Sequence, residues 1–376
     1  MEKIQMVDLQ KQYLKIKEDI DNAIGEVLQS AKFIRGEFVQ KFEQQLAEYL
    51  GVKHVIACAN GTDALQISLM ALDLKPHDEI ICPSFSFISG AEMAGLLNLR
   101  PVFVDVDYNN FNATVENIMQ AISVKTKVIM PVHLFGQGVN MEEIMKLAEQ
   151  YHLTVIEDNA QSLGANYYFS DGKKKKLGTI GDIGCTSFFP TKNLGCYGDG
   201  GAIFTDNDKL ADKIRLISNH GMKEKYKNEV IGINSRLDGI QAVVLSEKLK
   251  HIDDYIKARQ DAAEFYCAGL QSLSKHILLP EKVEYSDHTF HQFTIKVLDG
   301  KRDELRAYLA EKQIPTAVYY PYPLHSQEAF VKIERQANAM DVTEKLCTEV
   351  LSLPMHTELS IEQQIYIVET IKEFFK

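Results

Sequence analysis

Between residues 54 and 205, short apolar segments typical of buried strands alternate with segments whose apolar residues recur at helical spacing. This alternation requires a mainly parallel sheet with helices on both faces, so the fold class is α/β. In such sheets, ligands bind beyond the carboxyl ends of the strands. The predicted strands are 54–59, 78–83, 100–106, 127–132, 153–158, 185–189 and 201–205, and the helices between them are 60–72, 89–97, 140–152 and 207–219.

The flanking parts of the chain follow other patterns. Helical spacing predicts helices over 13–28, 37–50 and 237–268. The remaining elements are an antiparallel strand with one wet face at 288–297, an amphipathic helix at 302–312, a strand at 315–320, and helices at 340–351 and 360–375, the last opened by a capping box of Ser360 and Gln363. We therefore predict a large domain, 1–249, and a small α+β domain, 250–376.

The composition excludes some functions and suggests a compartment. The net charge of −11 argues against non-specific binding to nucleic acids or acidic membranes, so a nucleotide-bearing ligand would need a local cationic patch. The six cysteines form no CxxC pair and read as buried free thiols, which indicates a reducing cytosol. No apolar signal core begins the chain, and the expected location is cytoplasmic.

A lysine-rich segment, 167–179, interrupts the alternation. Its four consecutive lysines predict a polar hairpin, and a solvated loop is the favoured interpretation because blocks of like charge usually stay in water.

Asn60-Gly61-Thr62 follows the first strand of the alternation and opens a helix. Free amides at a helix N-terminus and a hydroxyl suit a phosphate, although an ordinary N-cap turn explains the same residues. The segment is not a Walker loop. After the second strand, Phe87 either stacks on a flat ring or belongs to the core.

Asp158 ends the strand at 153–158. A carboxylate there can hold a protonated ring nitrogen, although a capping role explains it equally well. Glu157 is a poor candidate for this role, because neighbouring residues on a strand point to opposite faces.

The segment 181–202, GDIGCTSFFPTKNLGCYGDGGA, contains a single lysine, Lys192. Such a lysine is a strong nucleophile toward carbonyls when burial deprotonates it, whereas the alternative is a surface lysine in a strand, loop and strand. Together, Asp158, Ser187 and Lys192 match the needs of pyridoxal phosphate: a partner for the ring nitrogen, a phosphate ligand and a Schiff-base lysine.

Five motifs, spread in order over nearly the whole chain, carry a family resemblance. The chain resembles the DegT/StrS family of nucleotide-sugar aminotransferases, and within it especially the UDP-2-acetamido-2-deoxy-ribo-hex-3-uluronate aminotransferases. The motifs are ANGTDAL, PSFSF, IEDNAQSLGA, SFFPTKNLGCYGDGGAIFT and GINSRLDGIQA.

The resemblance implies fold type I of the pyridoxal phosphate enzymes, which is aspartate aminotransferase-like, and a homodimer with active sites at the subunit interface. It assigns the covalent and catalytic role to Lys192, the ring nitrogen to Asp158 and the ring hydroxyl to Gln161. Phe87 would stack on the ring. The implied phosphate ligands are Gly61, Thr62, Ser187 and, from the partner subunit, Asn234.

The resemblance also implies substrate contacts. Arg236 would meet a carboxylate of glutamate or of a uronic acid, and an ion pair with Asp238 or another acid is the alternative. Tyr319 and Tyr320 match a substrate-facing loop, although Tyr319 stands where the uluronate enzymes carry histidine. His325 and His220 fit either sugar contacts or structural hydrogen bonding.

The implied reaction is a ping-pong transamination, with L-glutamate as donor and a 3-keto UDP- or dTDP-hexose as acceptor, in the synthesis of cell-surface polysaccharides. A 4-keto sugar is the alternative acceptor. The rival functions are a sugar dehydratase, which Lys192 argues against because those enzymes carry histidine there, and a regulatory protein without turnover.

Overall fold

The computed structural model describes residues 2–376, and its centre is an eight-stranded sheet. In spatial order the strands are β1 (His54–Cys58), β9 (Gly201–Thr205), β8 (Ile183–Ser187), β5 (Thr154–Asp158), β4 (Thr126–Ile129), β2 (Glu79–Pro83), β3 (Arg100–Val104) and β14 (Arg335–Gln336). Neighbouring strands from β8 to β14 are parallel, whereas β9 runs antiparallel to both of its neighbours. The predicted α/β fold with a mainly parallel sheet is confirmed.

Helices cover both faces of this sheet. The helices of the chain are α1 (Leu9–Lys15), α2 (Lys17–Ser30), α3 (Glu37–Leu50), α4 (Gly61–Met70), α5 (Ser89–Leu96), α6 (Val115–Ala121), α7 (Met141–Tyr151), α8 (Asp208–Ile217), α9 (Gly239–Leu249), α10 (Ile252–Leu270), α11 (Arg302–Glu311), α12 (Asp341–Glu349) and α13 (Ile361–Phe374). Successive strand residues point to opposite faces, so Ile56 packs in one apolar cluster with α4 and α8, while Val55 packs in another with α3 and α9.

A smaller antiparallel sheet forms in the C-terminal part of the chain. Its strands are β12 (Ile277–Leu278), β13 (Phe293–Val297) and β15 (Val350–Leu353), and its core is shared with α10, α11 and α13. The same core includes Ile4 from the N-terminus. The division of the chain into domains at 249/250 stays a prediction.

Three sequence predictions for the C-terminal part need correction. Strand β13 begins only at Phe293 and is buried throughout, because Lys296 donates to the carbonyl of Tyr108 (2.7 Å) instead of facing water. No strand forms over 315–320, where Ala317 makes a single bridge to Ser352. Finally, the helix predicted over 237–268 is two helices, separated at Lys250 and His251.

The N-terminal half departs less from the predictions. The helix predicted over 13–28 is broken at Ile16, and α6 was not predicted. The lysine-rich hairpin forms between β6 (Asn166–Tyr168) and β7 (Lys174–Lys176). A second short hairpin pairs β10 (Met222–Glu224) with β11 (Lys227–Asn228). Lys176 is not simply solvated, since it donates to the carbonyl of Gly164 at 2.7 Å. All six thiols are free, and five of them are buried.

Within residues 2–376, no helix combines the length and the apolar character that crossing a membrane requires.

Candidate active site

The carboxyl ends of β1, β2, β5 and β8 border a cavity of about 640 Å³. Pairing brings distant residues together at this rim, because Gly201, the first residue of the antiparallel strand β9, lies opposite both Cys58 and Ser187. The segment that follows β1 therefore faces the end of β8. This is the edge of the sheet where the sequence predicts a ligand.

The turn from β1 into α4 forms one wall of the cavity. The Asn60 side chain caps α4 by accepting from the amide of Asp63 at 2.8 Å, so the amides of Gly61 and Thr62 are left at the cavity. A Cβ added at Gly61 would lie 2.7 Å from the Cβ of Ser187, so only glycine permits this approach. The N-cap role and the anion-site role are therefore compatible here.

A tight loop after β8 carries Lys192. The amide of Lys192 donates to the carbonyl of Phe189 (2.8 Å), and the amide of Cys196 donates to the carbonyl of Phe188 (2.9 Å). A Cβ at Gly195 would lie 2.3 Å from the carbonyl oxygen of Pro190, so the loop requires glycine there. The loop directs Lys192 into the cavity beside Ser187.

Lys192 and Asp158 line the same cavity and influence each other's charge. Burial lowers the pKa of Lys192 to about 8, and the negative charge of Asp158 opposes this shift. Burial raises the pKa of Asp158, whereas the hydrogen bond from the amide of Ala160 and the positive charge of Lys192 lower it in part. The amine is thus partly deprotonated near neutral pH, as a nucleophile or general base requires.

Glu157 faces away from the cavity, as the alternation of strand residues predicts. Its carboxylate is fully buried, 2.8 Å from Nε2 of His133, and accepts the amides of Gly178, Ile180 and Gly181. Burial alone would raise the pKa of Glu157, but the hydrogen bond from His133 and the backbone donors outweigh it, and the pKa lies below its ordinary value. The role of Glu157 is to anchor the loop that precedes β8.

Aromatic residues and one amide form the opposite wall. The side chain of Gln161 accepts the amide of Phe135 (2.8 Å) and donates to the hydroxyl of Tyr320 (3.1 Å), which leaves one amide hydrogen for a ligand. The Phe87 ring is 59% exposed, and its centroid lies 6.4 Å from that of Tyr320. Tyr319 also lines the cavity, so the predicted aromatic contacts are available to a ligand.

Several polar residues of the cavity were not predicted. Among them, His291 and Gln292 reach the cavity just before β13, and the buried hydroxyl of Ser86 lines it without a hydrogen-bond partner within residues 2–376. Burial and the charges of Lys192 and Arg259 lower the pKa of His291 well below its ordinary value, so its imidazole is neutral. In the sequence, His291 and Gln292 belong to the segment 288–297, whose alternating pattern predicts a strand and gives no sign of a ligand contact.

Four residues considered for ligand contacts lie outside this cavity. Asn234 is exposed, and Arg236 borders a separate cavity instead of pairing with Asp238. His325 is buried, and its Nδ1 lies 2.7 Å from the hydroxyl of Ser84. This position favours structural hydrogen bonding over a sugar contact. His220 is exposed as well. The phosphate contact of Asn234 from a partner subunit and the carboxylate contact of Arg236 stay predictions.

The DegT/DnrJ/EryC1/StrS aminotransferase family matches residues 14–372. A pleiotropic regulatory protein of Geobacillus stearothermophilus is 44% identical over 99% of both chains. The UDP-2-acetamido-2-deoxy-3-oxo-D-glucuronate aminotransferase of Pseudomonas aeruginosa is 41% identical over 95% of this chain and 96% of its own. The UDP-N-acetyl-3-dehydro-alpha-D-glucosamine 3-aminotransferase of Acidithiobacillus ferrooxidans is 42% identical over 98% and 97%.

Solved structures extend the similarity to three dimensions. A DegT DnrJ EryC1 StrS aminotransferase from Brucella abortus superimposes with a TM-score of 0.93, at 41% identity over 99% of both chains. The NtdA protein of Bacillus subtilis, solved with bound cofactor PMP, superimposes with a TM-score of 0.90, at 34% identity over 99% of this chain and 85% of its own.

Proposed function

Because the chain belongs to the DegT/DnrJ/EryC1/StrS aminotransferase family, we propose that it transfers an amino group to the keto carbon of a nucleotide-linked hexose with pyridoxal 5′-phosphate as cofactor. The donor is L-glutamate. The acceptor is a 3-keto UDP- or dTDP-sugar, since two similar relatives are named for 3-oxo or 3-dehydro UDP-sugars. The observation that carries the proposal is the presence of Lys192 and Asp158 in one cavity.

The cavity residues fit this cofactor. The close approach of Gly61 to Ser187 forms a cradle of backbone amides and hydroxyls, which a Cβ would fill and which suits a phosphate. One oxygen of Asp158 accepts the amide of Ala160 at 3.0 Å, and the second oxygen is left for a protonated ring nitrogen. Gln161 has one spare amide hydrogen for the ring hydroxyl, and the exposed face of Phe87 suits stacking.

When bound, pyridoxal phosphate supplies an electron sink for the carbon that loses a proton. Lys192 would hold the cofactor covalently, and its amine would serve as the base that takes and returns the proton at the carbon next to the amino group. Asp158 would hold the protonated ring nitrogen by its charge. Tyr319 and Tyr320, which line the cavity, would contact the substrate.

We further propose that the protein is a homodimer in which Asn234 of one subunit reaches the phosphate bound by the other. The exposure of Asn234, outside its own cavity, supports this arrangement. Free cysteines, five of them buried, support a reducing compartment, the cytoplasm.

A regulatory role without turnover is a second candidate, since a relative with 44% identity is named a pleiotropic regulatory protein. The complete set of Lys192, Asp158, Gln161 and Ser187 around one cavity argues for turnover.

A substrate panel tests the proposal. The cofactor-loaded protein is incubated with L-glutamate and with 3-keto or 4-keto UDP- and dTDP-hexoses, and the products are analysed by mass spectrometry. We expect an aminated 3-keto sugar and no product from Lys192→Ala. Amination of only the 4-keto sugars would show that the acceptor is a 4-keto sugar instead of a 3-keto sugar. Absence of product with every sugar and amino donor would contradict the proposed function.

A further inference from the structure

The imidazole of His291 has an open hydrogen-bonding position although it is almost completely buried. Its side chain is 6% exposed and lines the cavity of Lys192. Within residues 2–376, Nδ1 is enclosed without a hydrogen-bond partner, so the ring nitrogen that a ligand in the cavity can reach is Nε2. Buried polar groups are normally hydrogen-bonded, and a ligand atom at Nε2 would complete the hydrogen bonding of this ring.

Arg259, on α10, fixes the backbone that carries His291. Its side chain is 3% exposed and does not line the cavity. Nη1 of Arg259 donates to the carbonyls of three residues, Phe290 at 3.3 Å, His291 at 3.4 Å and Met355 at 3.1 Å. Because the guanidinium is planar and rigid, these contacts determine where the ring of His291 enters the cavity.

The same segment is tied to the loop that carries Lys192. Nδ2 of Asn193 donates to the hydroxyl of Thr289 at 2.9 Å, and the amide of Thr289 donates to the carbonyl of Gly136 at 2.8 Å. A Cβ at Gly136 would lie 2.4 Å from Oγ1 of Thr289, so this approach requires glycine. His291 is therefore held in a fixed position relative to Lys192.

The charge state of His291 limits the groups that it can bind. Burial and the charges of Lys192 and Arg259 lower its pKa, so the imidazole is neutral. A neutral imidazole does not compensate the charge of a carboxylate or a phosphate, but each ring nitrogen donates or accepts one hydrogen bond according to the tautomer. A hydroxyl both donates and accepts, so it matches either tautomer.

The position of His291 beside Lys192 selects the part of the substrate. In the proposed reaction Lys192 acts at the carbon that gains or loses the amino group, so a group that reaches His291 lies close to that carbon. On glutamate, the polar group next to this carbon is a carboxylate. On a keto-hexose it is a hydroxyl, so the sugar is the substrate that offers His291 a matching partner.

We propose that His291 is a specificity-determining residue for the acceptor sugar, whose Nε2 hydrogen-bonds a hydroxyl on a carbon next to the keto carbon, and that Arg259 is its positioning residue. The inference rests on the proposed aminotransferase function and goes beyond it, because it names the sugar group that is recognised and the residue that recognises it.

Absorbance measurements in single turnovers separate the two halves of the reaction. L-Glutamate is added to protein loaded with pyridoxal phosphate, and a 3-keto sugar nucleotide is added to protein loaded with pyridoxamine phosphate. We expect His291→Phe to react with glutamate within about threefold of the wild-type rate and with the sugar about tenfold more slowly. His291→Gln places an amide where Nε2 lies and should keep most of the sugar rate. His291→Asn reaches only the place of Nδ1 and should be as slow as His291→Phe.

His356→Asn is the matched control. His356 is also buried, and burial and the charge of Arg259 lower its pKa as well, but it does not line the cavity. Both half-reactions of His356→Asn should stay within about threefold of wild type. The glutamate rate of each variant also shows that its active site is folded.

Deoxy acceptors identify the hydroxyl. Wild type should react about tenfold more slowly with either the 2-deoxy or the 4-deoxy form of the 3-keto sugar than with the parent sugar, and His291→Phe should lose this discrimination. Equal sugar rates for wild type and His291→Phe, or undiminished discrimination in His291→Phe, would overturn the proposal. A wild-type protein that reacts with no keto sugar would instead contradict the proposed function and remove this inference with it.

Arg259→Met tests the positioning role. It should slow the sugar half-reaction more than the glutamate half-reaction, and it should add little to the effect of His291→Phe in the double variant, because both changes remove the same hydrogen bond to the sugar. Equal slowing of both half-reactions by Arg259→Met would show that Arg259 only stabilises the fold and would remove its positioning role.

Discussion

Lys192 and Lys248 lie in neighbouring parts of the molecule, and burial lowers the pKa of each to about 8. Their surroundings differ. Lys248 is 1% exposed, donates to the carbonyl of Gly195 at 2.8 Å and lies 4.5 Å from the ring centroid of Tyr197. Lys192 opens into a cavity with Asp158.

A shifted pKa therefore does not by itself identify a catalytic lysine. The ammonium of Lys248 is buried and donates to the carbonyl of Gly195, so it stabilises the loop that carries Lys192. Lys192 has a charged neighbour, free space and a cradle for a phosphate nearby. Substitutions at the two lysines and around the cavity should therefore affect amino transfer and stability differently.

The largest effect is expected for Lys192→Ala. Loss of the covalent anchor and general base should reduce amino transfer by about 10³-fold or more. The rate of sugar amination, measured by mass spectrometry at saturating cofactor, checks this. If Lys192→Ala keeps more than a tenth of the wild-type rate, Lys192 is not the base.

Asp158→Asn should have the next largest effect, a fall in kcat of about 10²-fold, because the ring nitrogen loses its charged partner. The charge of Asp158 raises the pKa of Lys192, so the pKa of Lys192 in the cofactor-free variant should lie below about 8. Reactivity of the amine as a function of pH measures it. An unchanged pKa would show that the two groups are not coupled.

Gly61→Ala should weaken cofactor binding by about tenfold, because the added Cβ overlaps the Cβ of Ser187 at 2.7 Å. The matched control is Gly25→Ala in α2, where nothing lies within 4 Å of the added atom. It should stabilise the fold by roughly 0.5–1 kcal/mol and leave cofactor affinity unchanged. Titration with pyridoxal phosphate distinguishes the two variants, and equal affinities would argue against a phosphate cradle at Gly61.

Lys248→Met should have the smallest effect on amino transfer, within about threefold of the wild-type rate, because Lys248 does not reach the cavity. The substitution should instead change how the free energy of unfolding depends on pH. The folded-state pKa of Lys248, about 8, lies below the 10.5 of the unfolded chain, so the unfolded state binds more protons between these values. The free energy of unfolding of wild type should therefore rise relative to Lys248→Met from pH 8 to pH 10.5. Parallel pH profiles in urea titrations would contradict the buried cation.

Much of the site around Lys192 was predictable, for a physical reason. Parallel strands bring their carboxyl ends to one edge, so Gly61, Asp158 and Ser187 meet although they are far apart in sequence. The alternation of strand residues also separated Asp158 from Glu157 correctly. These predictions depend only on local pattern and on the direction of strands.

The remainder depends on contacts that no local pattern encodes. His291 and Gln292 reach the cavity from about 100 residues beyond Lys192, and the sequence does not tell which loop of the C-terminal part will cover it. Residues 315–320 have the β-branched and aromatic composition of a strand, yet Tyr319 and Tyr320 line the cavity in irregular structure. The prediction of a solvent-exposed face on β13 is wrong for the same reason, because Lys296 donates to the carbonyl of Tyr108.

The visible absorbance of the cofactor-loaded protein on addition of L-glutamate tests most directly whether Lys192 carries the chemistry. We predict that the cofactor band is bleached in wild type and in Lys248→Met at similar rates, and that Lys192→Ala loses this response. Bleaching of Lys192→Ala at the wild-type rate, or loss of the response in Lys248→Met alone, would assign the chemistry to a group other than Lys192.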